Sequence, residues 1–408
     1  MTKLIVILIA FLGGAFSIFL NVVQARSASN PTPENLSDVY DAETYTKWKS
    51  YSGEHSRLSI LSSVITGIVM LALLFTDAYA AFASLFPDSL MMQALAVVLL
   101  ETVVSTLAGV VESYISNMVI EQKYGFNRTS IKTFIGDRVR SLLFGFALSY
   151  FLTYAVCLFH IVADVWMIPI FAVAMLGFGL LVSFLYPIFS RIGNKFTPLE
   201  EGELKESLVR LLIRHGYDVK AIEVMDASRR TTKLNAYFTG IGKMKTIVLY
   251  DNLVNSMTPD EICAVFAHEL GHGLHKDVTK RQILNFLNMA IMGTVAWIAV
   301  SFAELHTAFG FEDVNYGFAY ILMGIGLGVV QPLTSIVMNA YSRFAEYRAD
   351  RQSVSEGYGP AMITALKKLA RENFSHLAPS KINVLLEYSH PPLSERIAAV
   401  EKEIEKSK

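Results

Sequence analysis

The chain has 408 residues, of which 53% are hydrophobic and 17% charged, and its mean hydropathy is +0.41. That balance is too apolar for an ordinary soluble enzyme. A formal net charge of −1 gives no basic excess to bind nucleic acid, and two cysteines, Cys157 and Cys263, are too few for a disulfide framework.

Seven apolar blocks come close to the ~20 residues a bilayer crossing needs. They cover 4–23, 58–86, 90–115, 139–162, 163–188, 282–304 and 315–340. The first reads either as a retained helix or as a signal peptide, since small residues follow around Ala25 to Ala28; its apolar run exceeds the ~7–15 residues of a signal core. Lys123, Arg128, Lys132 and Arg138 mark the 116–138 loop, and Arg191 and Lys195 follow the fifth block. The loops around 87–88, 162–163 and 303–314 lack Lys and Arg. The 24–57 loop, with Arg26, Lys47 and Lys49 among several acids, is mixed in charge and adds little. The rule that basic loops stay inside then puts 189–281 and the C-terminus in the cytosol. On the third block Glu101, Ser105, Glu112 and Ser116 share one helical face, which predicts either a wet chamber lining or helix-to-helix hydrogen bonds.

Between and after these blocks lie two polar pieces, 189–281 and 341–408, each small for an independent core. They are expected to pack as one domain split by the hairpin 282–340, with 1–188 holding the first five spans. Within the first piece, 199–216 reads as an amphipathic helix and 221–226 as a strand. Segments 235–239 and 246–250 read as a β-hairpin. Thr258-Pro259-Asp260-Glu261 is a capping-box helix start.

That helix carries His268-Glu269-Leu270-Gly271-His272. Two histidines at i and i+4 share a face and can bind one Zn²⁺, with the intervening glutamate as general base toward the attacking water. A catalytic zinc needs a third protein ligand. Glu346 is a candidate, with Asp350 one turn later placed to orient a ligand histidine, although spacing alone fits equally a charged face paired with Arg343. Two crossings separate His272 from Glu346, which returns the chain to the same side. Read from its neighbours only, His390 is a histidine before a Pro-Pro turn and Arg396 one charge of an amphipathic helix. Asn235 opens an apolar strand suited to pairing an extended peptide.

Together these segments resemble the type I CAAX prenyl proteases. The resemblance rests on 121–127 (EQKYGFN), 194–200 (NKFTPLE), Asn235-Ala236-Tyr237-Phe238, the HELGH motif, Glu346 to Asp350, and His390-Pro391-Pro392-Leu393-Ser394-Glu395-Arg396. It implies a mainly α, polytopic membrane protein whose seven long helices enclose a chamber capped by a small α+β zinc metalloprotease domain. It further implies one Zn²⁺ per chain held by His268, His272 and Glu346, with Glu269 as base and Asp350 behind a ligand. His390 and Arg396 are expected near the oxyanion and Asn235 along the substrate. The expected partners are a peptide or prenylated protein substrate and membrane lipid, the chain acting as a monomer. A bacterial inner membrane or the endoplasmic reticulum is the expected location, with the active site facing the cytosol. Two other readings stay open: a membrane quality-control protease of broad specificity, and a non-catalytic protein with a structural zinc.

Overall fold

The structure, a computed structural model, describes residues 1–87, 89–191, 194–239 and 244–408, without the side chains of 183, 186–188, 218–220, 238–239 and 244–246. Long apolar helices dominate. In chain order they are α1 (Thr2–Ser27), α2 (Ala42–Phe75), the short α3 (Ala78–Ala83), α4 (Leu90–Tyr114), α5 (Ile131–Ala163) and α6 (Met167–Phe189). A mixed segment follows, with β1 (Phe196–Pro198), α7 (Glu203–Arg214), β2 (Asp218–Met225), β3 (Ala236–Thr239), β4 (Met244–Tyr250), α8 (Asp251–Ser256) and α9 (Pro259–Leu274). Then come α10 (Asp277–Ser301), α11 (Glu304–Thr307), α12 (Tyr316–Ser355), α13 (Gly359–Glu372), α14 (Lys381–Glu387) and α15 (Leu393–Lys406).

The long helices begin where short polar side chains satisfy their first free N–H groups. The Asp41 carboxylate accepts from Thr44 N at 2.7 Å, and Asn315 accepts from Phe318 N at 2.9 Å. Asp41 starts α2 well before the expected apolar block at 58. The same block breaks near Thr76–Asp77, where Asp77 turns left-handed at φ 53°. Periodicity sees the apolar run; the breaks are set by single polar residues.

Among the described residues six helical stretches are long and apolar enough to cross a membrane, one fewer than the seven blocks expected. The difference lies in one 52-residue stretch, Ile131–Val182, which merges the blocks 139–162 and 163–188. It is interrupted at Asp164, whose φ of 45° and ψ of −123° end α5 before α6 begins. Buried Tyr79, Phe309 and Phe318 lie in the apolar core that ties these helices together.

The four strands form one sheet in the order β1-β2-β4-β3. The expected hairpin is there, β3 running antiparallel to β4 with Tyr237 opposite Val248; its turn, 240–243, lies outside the described residues. β2 runs parallel to β4, so β3 is an edge strand of this sheet. Leu208, Leu212, Ile247, Leu249, Ile262 and Phe266 pack the sheet against α9, and Ala365 of α13 joins them. A second core unites Leu36, Val39, Tyr40 and Trp48, from the segment after α1, with Met362, Leu366, Ile397 and Val400. That segment reads as an uninformative mixed-charge loop in the sequence, yet it packs under the C-terminal helices.

Candidate metal centre

Helix α9 starts with the expected capping box. The Thr258 hydroxyl accepts from Glu261 N at 3.3 Å, and the Glu261 carboxylate accepts from Thr258 N at 2.8 Å. A carboxylate beside the helix N-terminus also complements its partial positive charge. The buried face of α9 carries Ile262, Phe266 and Leu270, which leaves His268, Glu269 and His272 toward α12 and the edge strand. Ser353 of α12 donates to the Ala264 carbonyl at 3.0 Å, fixing the two helices together.

This packing brings the third acid to the histidines. His268 Nε2 is 3.5 Å from Glu346 Oε2, and His272 Nε2 is 3.3 Å from Glu346 Oε1. One donor atom from each of the three residues lies within 4.8 Å of the other two, a group able to hold a metal ion. Glu346 is only 7% exposed, and its Oε2 is buried without a hydrogen-bond partner. A desolvated carboxylate with one oxygen unsatisfied, its two oxygens each facing one imidazole nitrogen, is costly unless a cation completes it. Two nitrogens and a carboxylate are the donor types of a catalytic zinc site. The residues fit the ion.

Each histidine has a carboxylate behind it. His268 Nδ1 lies 2.8 Å from Asp350 Oδ1, and His272 Nδ1 lies 3.1 Å from Asp277 Oδ2. A proton on each Nδ1 leaves both Nε2 lone pairs directed at the centre. Burial disfavours charging His272, but the Glu346 and Asp277 carboxylates outweigh it and raise its pKa. The cage therefore attracts positive charge, and protons compete with a metal for it.

Arg396 donates to Asp350 through Nε at 2.9 Å and Nη2 at 2.7 Å, and its Nη1 stands 3.6 Å from Glu346 Oε2. Burial works against its charge, but the Asp350 and Glu346 carboxylates outweigh it and raise its pKa. His390 lies on the opposite side of Glu346, its Nε2 3.5 Å from Oε1, with its side chain 65% exposed. The loop bearing it is pinned from α12. Arg343 donates to the carbonyls of Val384 at 2.7 Å and Tyr388 at 2.8 Å, and Asn339 donates to that of Leu386 at 2.7 Å. Arg343, the competing partner considered for Glu346, is thus engaged elsewhere.

Glu269 is half-buried and lines a small apolar pocket with Ala236, Tyr237, Val265 and Phe266. The general-base candidate therefore sits beside the edge strand. Asn235 immediately precedes that strand and is exposed; its Oδ1 accepts from Ala236 N at 2.9 Å, while its carbonyl accepts from Tyr250 N at 3.1 Å. The side chain of Phe238 lies outside the described residues. Both cysteines are buried and free, and Cys263 packs in the core beneath α9 rather than with the three ligand candidates.

A membrane-helix bundle joined to an H-E-x-x-H helix with a convergent glutamate defines a membrane-embedded metallopeptidase. The comparisons agree. The pattern of peptidase family M48 matches residues 198–404, and that of the CAAX prenyl protease N-terminal region, described as five membrane helices, matches 21–191. The CAAX prenyl protease 1 of Saccharomyces cerevisiae is 30% identical over 432 residues, spanning 97% of this chain and 94% of that protein. The CAAX prenyl protease 1 homolog of Oryza sativa subsp. japonica is 31% identical, spanning 95% of this chain and 94% of that one. The crystal structure of S. mikatae Ste24p superposes with a TM-score of 0.87 at 28% identity, covering 98% of this chain and 99% of that chain. The chain belongs to peptidase family M48, in its CAAX prenyl protease branch. It is an integral, multi-pass membrane metallopeptidase.

Proposed function

We propose that the enzyme hydrolyses a peptide bond near the C-terminus of prenylated CAAX-type proteins, using one Zn²⁺ held by His268, His272 and Glu346. The observation that carries the metal assignment is the buried Glu346 carboxylate, whose Oε2 has no hydrogen-bond partner and faces His268 Nε2 while its Oε1 faces His272 Nε2. The substrate class rests on the similarity to proteins named as CAAX prenyl proteases over nearly their whole length.

When bound, the zinc supplies Lewis acidity to the scissile carbonyl and lowers the pKa of water at the site. Glu269 takes the proton of the attacking water and delivers it to the leaving amine. An extended substrate runs along β3, the last strand of the sheet, beginning at Asn235, which sets the scissile bond against Glu269. His390, exposed and opposite the carboxylate ligand, donates to the developing oxyanion. Arg396 acts through Asp350 and Glu346, holding both ionised and in place.

The 52-residue stretch is read as two crossings turned at Asp164, which makes seven spans and returns Glu346 to the side of His268. The basic loops put that side in the cytosol. Glu112 carries the reading of a wet lining, bordering an open cleft of about 250 Å³ with Asn21, Gln24, His55, Ser59 and Ser116. It also accepts from Ser62 Oγ on α2, as Glu101 accepts from Tyr79 OH on α3. The working unit is taken to be a monomer.

The test is to incubate purified protein, loaded with one equivalent of zinc, with a farnesylated C-a-a-X peptide and its unprenylated form. Preferential release of the last three residues from the farnesylated peptide is expected. Equal cleavage of both would replace this reading with a broad quality-control protease. Stoichiometric zinc without any cleavage would make the protein a non-catalytic zinc binder.

A further inference from the structure

Asp277 carries more interactions than the first residue of a membrane helix requires. It is 1% exposed, and both of its oxygens are engaged. Oδ2 faces His272 Nδ1 at 3.1 Å, while Oδ1 accepts from Tyr341 OH at 2.9 Å and from the Arg348 guanidinium. Tyr341 and Arg348 both belong to α12 and flank Glu346 in sequence, so one carboxylate links α9, α10 and α12 behind the metal centre.

The chain pays a conformational cost to put it there. Between the end of α9 at Leu274 and the start of α10 at Asp277, Lys276 adopts the left-handed conformation at φ 55°. A lysine there is uncommon, because its Cβ crowds the backbone. The tight turn brings Asp277 back under His272. The geometry parallels the other histidine: His268–Asp350–Arg396 on one side, His272–Asp277–Arg348 on the other.

We infer that Asp277 is a positioning residue for His272, accepting its Nδ1 proton so that Nε2 faces the metal, with Arg348 and Tyr341 holding the carboxylate in place. This rests on His272 being a metal ligand. A histidine whose ring is free to turn loses affinity through the entropy of re-orienting it, and a hydrogen-bonded carboxylate also raises its basicity as a ligand. Arg348 gains from the arrangement too, since a partly buried guanidinium is stabilised by a counter-charge.

The experiment measures zinc affinity of the full-length, metal-stripped protein in detergent by competition with a chromophoric chelator. It is paired with the visible d–d spectrum of the cobalt(II)-loaded protein. Wild type, Asp277→Asn and Asp277→Ala are compared, with the thermal midpoint of each metal-free sample recorded. A loss of about 10–100-fold in zinc affinity is expected for Asp277→Ala. An altered cobalt spectrum is expected in both variants, with kcat falling more than KM. Asp277→Asn keeps the shape of the side chain, and serves if removing the carboxylate outright prevents folding. Wild-type affinity and an unchanged cobalt spectrum in Asp277→Asn, or a lowered metal-free midpoint alone, would overturn the inference and leave a purely structural tie between α10 and α12. Failure of the wild type itself to bind zinc would instead remove the metal reading on which it stands.

Discussion

Gly271 of α9 packs its bare α-carbon against Ala349 of α12: a Cβ at Gly271 would stand 3.0 Å from the Ala349 α-carbon and 2.9 Å from Gln352 Cβ. The glycine is buried between Glu269 and His272, and Ala349 lies between Glu346 and Asp350. The contact thus sets the spacing of the two helices that carry the ligand candidates. Because the atom met is backbone, the helices must part to admit a methyl group. Gly271→Ala is expected to cost about 1–3 kcal/mol of stability. It should also lower zinc affinity by pulling Glu346 away from both histidines. Thermal melting and chelator competition on the same preparation check both, and an intact zinc affinity would show that the site tolerates wider helix spacing.

Glu269 has no part in the ligand group, and its place beside Ala236 and Tyr237 suits proton transfer on a strand-bound substrate. Glu269→Gln should lower turnover by about 10²–10⁴-fold, the usual contribution of a positioned base. Zinc content measured by atomic absorption should remain at one per chain, and the melting temperature should stay within a degree or two. Turnover at the wild-type rate would remove Glu269 from the chemistry.

Metal removal separates ligands from scaffold. The cores around α9 are apolar and Ser353 ties α12 to the Ala264 carbonyl, so the stripped protein should stay folded. Zinc at a hundred times its dissociation constant then adds about 2.7 kcal/mol, seen as a rise in melting temperature. In His268→Ala and Glu346→Ala that rise should largely vanish, along with activity. Collapse of the wild type on chelation would instead mean that the ion is part of the fold.

The capping box, the β-hairpin and the HELGH helix were legible because each is a local pattern: Thr258 to Glu261, alternating strand residues, and two histidines one turn apart. By spacing Glu346 also fitted a charged helix face; the two crossings that restore the side kept it within reach, and the family resemblance supplied its role as a ligand. Asp277 was not legible. An acid opening an apolar helix is explained by the helix dipole alone, and nothing local signals that a left-handed Lys276 turns it back onto His272. Arg343 was misleading in the same way, because its partners are the carbonyls of Val384 in α14 and Tyr388 just after it, far along the chain. The packing of Leu36, Val39, Tyr40 and Trp48 under α13 and α15 was hidden for a further reason: four scattered apolar residues among charges show no period.

That segment carries the last prediction. His376, in the loop before α14, meets Trp48 in a T-shaped contact, the ring centroids 5.1 Å apart. Its Nδ1 accepts from Ala378 N at 3.2 Å, so its Nε2–H donates to Ser27 Oγ at 2.9 Å, and that hydroxyl in turn donates to the Gln24 carbonyl at 2.7 Å. This chain is satisfied by a neutral imidazole, and burial pushes the His376 pKa down from 6.5 to about 4. Above pH 6.5 the ring is neutral in both folded and unfolded chains and costs nothing. Below it the unfolded chain takes up a proton that the folded one resists. Stability therefore falls as pH drops from 6.5 toward 4, by about 3 kcal/mol at most, and levels off below. With chelator present in all samples, the melting temperature of the wild type should decline more steeply over that window than that of His376→Gln. Parallel declines would mean that His376 titrates normally and that the contact of Ser27 with the C-terminal loop does not depend on its charge.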